Sequence, residues 1–237
     1  MCKKISKSHI YIEPFIVHVR LLGDGEVKKR YIVSFVSAAA ILTGCGGTTE
    51  EKASAIFEKT AEAEESFVKQ QSSLAKLEKT EQEIYQEMMT ANKEDKEKWR
   101  KLGKEADENL KERAEKLSAE QEAMKKAAEE FSKMHALSEQ MEDKKAKKQL
   151  SDLIKTMEAR YKEHQTIDKL YKELLQLNKE LYGLLEKEET TLAQVEEQLA
   201  KINERNEKLT MAVKRFNELT NTFNKQKALF DKSMKKE

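Results

Sequence analysis

Beyond Gly47 the chain contains no proline and only two glycines, Gly103 and Gly183. A stretch this long without helix breakers, rich in Ala, Glu, Lys, Leu and Gln, is restricted to long helices. Apolar residues recur along it at alternating steps of three and four, the period of one buried helical face. The first segment, from about Glu51 to Ala91, carries a stripe of Ala53, Ile56, Thr60, Ala63, Phe67, Gln70, Leu74, Leu77, Glu81, Ile84 and Met88. The turn-favouring run Asn92 to Asp95 interrupts it. The second stripe runs from Trp99 to Met134 and ends somewhere between Phe131 and Asp143, with no glycine or proline to mark the place. The third runs from Leu150 to Leu185. Glu186 to Thr191 then breaks the pattern and offers Thr190 as a cap, and the fourth stripe runs from Leu192 to Phe230.

Four helices of similar length with short connections favour antiparallel neighbours. The expected fold is all-α, an elongated antiparallel up-and-down four-helix bundle with coiled-coil-like packing. A parallel dimeric coiled coil is the competing architecture, disfavoured by three breaks at near-equal spacing.

The segment before the bundle has a different logic. Tyr31 to Leu42 is apolar and uncharged, directly preceded by Lys28, Lys29 and Arg30. That is the layout of a secretory signal peptide, and the run falls well short of the ~20 residues of a spanning helix. Its end, Leu42-Thr43-Gly44-Cys45, resembles the bacterial lipobox. The Cys45 thiol would accept diacylglycerol as a thioether, and the small Gly44 would admit the signal peptidase. Two acyl chains such as palmitate, at ~0.8 kcal/mol per buried methylene, would give stable anchoring where a single chain would not. The alternative is a signal-anchor helix with an incidental cysteine. The expected organisation is therefore 1–26 as an upstream extension, 27–44 as signal peptide, 45–51 as lipidated cysteine and short tether, and 52–237 as the bundle. Residues 1–26 hold Pro14, the only proline, and do not suit a signal peptide; a start at Val27 on a GTG codon would remove them.

Charge and cysteine usage narrow the function. Residues 1–44 hold seven Lys/Arg and three Asp/Glu, which leaves 38 basic against 41 acidic residues, a net −3, in the remainder. That is not the footprint of a nucleic-acid binder. With Cys2 and Cys45 as the only cysteines, there is no disulfide framework and no cysteine metal site. The catalytic motifs with recognised mechanics are missing: there is no glycine-rich phosphate loop, no G-x-S-x-G and no H-E-x-x-H. His135 and His164 lie on different helices, and neither follows a glutamate by three residues as in bundle di-metal sites. No catalytic residue, cofactor or metal ligand is expected, and His164 is read as a hydrogen-bonded core histidine. Glu81, Arg113, Glu120, Asn178, Asn206 and Lys227 intrude on the apolar stripes. They mark either a ligand groove or a buried polar layer that fixes register. Trp99, Phe216, Phe223 and Phe230 are read as core rather than as a carbohydrate platform.

The ending Phe216-Asn217, Thr220, Phe223-Asn224, Lys227 and Phe230 resembles the FN-x-x-T-x-x-[YF]N-x-x-K-x-x-[YF] pattern of the YkyA-like cell-wall-binding lipoproteins of low-GC Gram-positive bacteria. Met157-x-x-Arg160-Tyr161, Leu181-Tyr182 and Arg113 match as well. The resemblance implies an elongated four-helix bundle on the extracytoplasmic face of the cell membrane, held by a diacylglyceryl anchor. It further implies cell-wall binding, so the expected role is a non-enzymatic contact with peptidoglycan or teichoic acid; the alternative is a helical scaffold or regulator that binds envelope membrane proteins instead of wall polymer.

Overall fold

A computed structural model describes residues 48–92 and 94–234, and the expected signal peptide and lipobox lie outside these residues. The described chain consists of five helices: α1 (Thr49–Thr90), α2 (Lys96–Ser132), α3 (Met134–Gln140), α4 (Lys144–Leu185) and α5 (Leu192–Met234). Helices α2 and α3 together form the second arm of the expected bundle. The interruption at Lys133 comes without glycine or proline. The Ser132 hydroxyl donates to the Glu129 carbonyl at 2.7 Å, and the Lys133 N–H bonds Glu130 only three residues back. Back-bonding of this kind tightens and bends a helix.

Local chemistry sets each helix end. Thr48 opens α1 with a capping box, its hydroxyl accepting from Glu51 N–H while the Glu51 carboxylate accepts from Thr48 N–H. Asp95 caps α2 by accepting from Lys98 N–H at 3.0 Å, and Asp143 caps α4 by accepting from Ala146 N–H at 2.6 Å. The cap expected from Thr190 falls one residue later. Thr191 accepts from Gln194 N–H, and the Gln194 side chain accepts from Thr191 N–H at 2.9 Å. Thr190 instead closes α4, donating to the Leu184 carbonyl at 2.6 Å.

The helices pack as two antiparallel hairpins, α1 with α2–α3 and α4 with α5, whose inner faces meet. Phe57 near the start of α1 packs against Phe131 at the end of α2 and against Phe223 and Phe230 near the end of α5, with ring centroids 6.3–6.4 Å apart. At the other end Lys98 pairs with Glu87 at 3.0 Å and Lys96 with Glu188 at 2.5 Å. The start of α1 and the end of α5 therefore share one end of a rod about 60 Å long, at 1.5 Å per residue. The α1–α2 and α4–α5 turns form the opposite, distal end.

The buried face follows the expected stripes on α2 and α4 closely. On α1 it departs from them. The buried set is Ala53, Phe57, Thr60, Glu64, Phe67, Gln71, Leu74, Glu78, Glu81, Ile84 and Met88. Four members lie one residue later than the expected position, so Phe57, Glu64, Gln71 and Glu78 replace Ile56, Ala63, Gln70 and Leu77. The reason is that the polar side chains find partners across the bundle, while their apolar neighbours flank the seam. At the start of α5, Leu192 is exposed and Gln198 is buried instead of Leu199.

Candidate functional site

The bundle interior is interrupted by three polar layers, each joining side chains from different helices. Nearest the Phe57 end, Arg160 on α4 grips Glu64 on α1 through both terminal nitrogens, at 2.7 and 2.9 Å. Its Nε donates to Thr220 on α5 at 2.9 Å, and its guanidinium lies 4.5 Å from the Phe216 ring centroid. The Tyr161 hydroxyl donates to Glu64 at 3.2 Å. This fork-to-fork geometry is the arrangement in which arginine pairs best with a carboxylate. In the middle layer, Glu120 on α2 takes a hydrogen bond from the Gln71 amide and pairs with His164 Nε2 at 2.9 Å. Phe67 and Phe216 flank the imidazole.

The third layer holds Glu78 and Glu81 on α1, Arg113 on α2, and Tyr171 and Tyr182 on α4. Arg113 pairs with Glu81 and donates through Nε to the Tyr171 hydroxyl at 3.0 Å. Tyr171 in turn donates to Glu78 at 2.7 Å. Burial opposes the Arg113 charge, but Tyr171, Glu81 and Glu78 together hold its pKa above the usual arginine value. Burial pushes Glu78 up to about 7, offset in part by Arg113 and Tyr171 and reinforced by Glu81 and Glu120. Burial also raises the Tyr171 and Tyr182 hydroxyls, which stay protonated as donors.

Four of the six polar intrusions expected from the sequence, Glu81, Arg113, Glu120 and Asn206, are buried. Asn178 and Lys227 are half-buried, and Lys227 pairs with Asp231 at 2.7 Å. His164 is buried, whereas His135 is exposed and pairs with Glu158 at 2.8 Å. Phe216, Phe223 and Phe230 are core, but Trp99 is only partly buried. Sequence reasoning missed Glu64, Gln71 and Glu78. Their signal is the sevenfold spacing Phe57, Glu64, Gln71, Glu78, which is a strict coiled-coil repeat when polar residues are counted with apolar ones. Every member of the three layers has its partner inside the bundle. Among the described residues no group of three or more His, Cys, Asp and Glu side chains is placed to hold a metal ion.

Two surface concavities remain. A groove of about 1040 Å3 runs between α2 and α4, walled by Glu115, Ser118, Lys125 and Glu129 and floored by Tyr161 and His164. A second, of about 490 Å3, lies at the distal end, where Lys96, Trp99 and Arg100 of α2 face Leu185 to Glu188. The Trp99 indole N–H donates to the Asn92 carbonyl at 3.2 Å, which fixes the ring against the α1–α2 turn. The Glu186 side chain lies over the α2 backbone at Gly103, where a Cβ would stand 1.9 Å from its Oε1.

Comparison with known proteins places this architecture. The chain is 35% identical over 148 residues to a Bacillus subtilis (strain 168) protein named "Uncharacterized lipoprotein YkyA", a match covering 62% of this chain and 66% of the relative, just under two thirds of its length. No solved structure matches. A family model described as "Putative cell-wall binding lipoprotein" matches residues 48–233, the whole of the described bundle but its last residue. The chain belongs to the YkyA family of lipoproteins.

Proposed function

We propose that this chain is a lipid-anchored protein of the cell membrane's extracytoplasmic face, joined to the bilayer through Cys45, whose helical rod contacts wall polymer without catalysing a reaction. The observation that carries the reading is the placement of the bundle relative to the lipobox. The capping box at Thr48 starts α1 three residues after Cys45, so an acylated Cys45 leaves almost no slack between membrane and rod. The distal turns would then stand about 60 Å away, in the zone of peptidoglycan and teichoic acid. The family description supports the wall as the contact. Among the described residues no helix is long and apolar enough to cross a membrane, so a lipid on Cys45 is the attachment this reading requires.

Two experiments test the parts separately. Cys45→Ala should leave a precursor that takes up no labelled palmitate, and normal acylation of that variant refutes the anchor. The detergent-solubilised lipoprotein should sediment with purified sacculi, and failure to do so with teichoic acids present or stripped refutes wall contact. A second reading, contact with an envelope membrane protein, draws on Met211 and Leu229. These are exposed large apolar side chains five full turns apart on one line of α5. Loss of co-purifying membrane protein on Met211→Lys/Leu229→Lys, with sacculus binding intact, favours that alternative.

A further inference from the structure

Gly103 is a buried residue inside α2, where glycine weakens a helix relative to alanine. The heavy atoms nearest its Cβ position belong to the Glu186 side chain, whose carboxylate occupies the space a Cβ would need. The missing side chain therefore lets a carboxylate from the α4–α5 connection settle beside Trp99 and Arg100 in the distal pocket. Trp99 is itself set rather than free, since its indole N–H is engaged by the Asn92 carbonyl. The result is a partly buried aromatic ring in a pocket whose lining also holds two carboxylates, Glu186 and Glu188, and the cationic Arg100 and Lys187. Pockets of ~300–1,000 Å3 that combine apolar surface with a few fixed polar groups are typical small-ligand sites, and about 490 Å3 lies within that range.

We infer that this distal pocket binds an amino-sugar glycan bearing a carboxylate, the chemistry of a peptidoglycan disaccharide-peptide. The inference rests on the wall-contact reading and names its site and ligand class. The ring offers a face to the apolar C–H surface of a pyranose. Glu186 accepts from sugar hydroxyl and N-acetyl amide N–H groups, and Arg100 takes the lactyl or peptide carboxylate as a charge-assisted pair. A polyphosphate chain suits the pocket poorly. Lys96 is already paired with Glu188 at 2.5 Å, and the Glu186 and Glu188 carboxylates in the lining repel a polyanion.

Trp99 is the single tryptophan of the chain, so its emission reports on this pocket alone. The full-length lipoprotein in detergent micelles is titrated with muramidase-released disaccharide-peptides, and in parallel with glycerol-phosphate teichoic oligomers and with sugar-free stem peptide. Calorimetry runs alongside. The expected result is a saturable change in Trp99 emission with the disaccharide-peptide only, and binding at least tenfold weaker for Arg100→Ala and Gly103→Ala. The added Cβ of Gly103→Ala meets the flexible end of Glu186, so that variant displaces the carboxylate while its thermal midpoint holds or rises. Absence of both emission change and heat overturns the proposal, as does unaltered affinity of a folded Gly103→Ala or saturation by teichoic oligomers alone. Wild-type protein that sediments with sacculi but shows neither signal loses the pocket and keeps wall contact. Protein that titrates but does not sediment keeps the pocket and loses wall contact.

Discussion

Glu78 occupies an unusual position for a carboxylate, nearly fully buried beside a second glutamate and held by Tyr171. With a folded pKa raised to about 7 from an ordinary 4.5, the native state binds its proton more tightly than the unfolded chain does. The resulting stabilisation is complete in acid and is lost as pH rises from 4.5 through 7. Between pH 5 and pH 8 this amounts to about 2–3 kcal/mol, taking 1.36 kcal/mol per pKa unit. Glu78→Gln keeps an acceptor for Tyr171 and should remove that part of the pH dependence. Urea titrations at both pH values should find it more stable than wild type at pH 8 and little changed at pH 5. Arg160 poses the opposite case. Arg160→Ala leaves Glu64 buried without its fork and Thr220 without its donor, and should cost about 3–5 kcal/mol. An unchanged denaturation midpoint would mean that Glu64 finds water or another donor. Arg113 was legible from sequence as a polar intrusion on a buried face, because it interrupts a regular apolar stripe, and the structure pairs it with Glu81 on α1. On α4 it meets the Tyr171 hydroxyl, while Asp168, one turn before, pairs with Lys172 at 2.9 Å. Glu64 and Glu78 were not legible, since each sits beside an apolar residue that seemed the better candidate for burial. Only partners far along the chain decide between the two.

At the scale of the helix, existence and direction were readable and the joints were less so. Segment periodicity located the four arms to within a few residues. The α2–α3 break, where the Ser132 hydroxyl turns back to the Glu129 carbonyl, has no glycine or proline to announce it. The α4–α5 joint depends on which of two adjacent threonines finds Gln194. The two helical glycines make a matched pair of tests. A Cβ at Gly183 meets nothing within 4 Å, so Gly183→Ala should raise stability by about 1 kcal/mol through helix propensity alone. Gly103→Ala gains the same propensity and displaces Glu186. Capping offers a check in the other direction. Asp143→Ala removes the acceptor for Ala146 N–H and should cost about 1 kcal/mol. Hydrogen exchange should show that loss as faster exchange in the first turn of α4, with the remaining amides unchanged relative to global stability.

For the whole molecule, both described ends lie at the Phe57 end of the rod, where Lys227 sits 4.6 Å from the Phe57 ring centroid. If Cys45 is acylated, that end faces the bilayer. Single cysteine labels at Lys232 and Lys96 then differ in reach: a lipid-borne quencher in proteoliposomes should quench the first and spare the second. Equal quenching would mean that the rod lies flat on the membrane. The hairpin arrangement has a mechanical consequence as well. A pull between Thr48 and the distal turn at Glu188 runs along the axis of α1, so α1 can leave only by sliding past its neighbours. Glu64, Gln71, Glu78 and Glu81 must then give up their partners in the same displacement, because all four stand on the moving helix. A pull between Thr48 and Met234, at one end, peels the arms apart one contact at a time. Force spectroscopy should therefore record a single high-force rupture in the first geometry and a low, stepwise extension in the second. If the proposed anchor holds one end and the proposed wall contact the other, the rod is stiff in the direction in which a growing envelope would strain it.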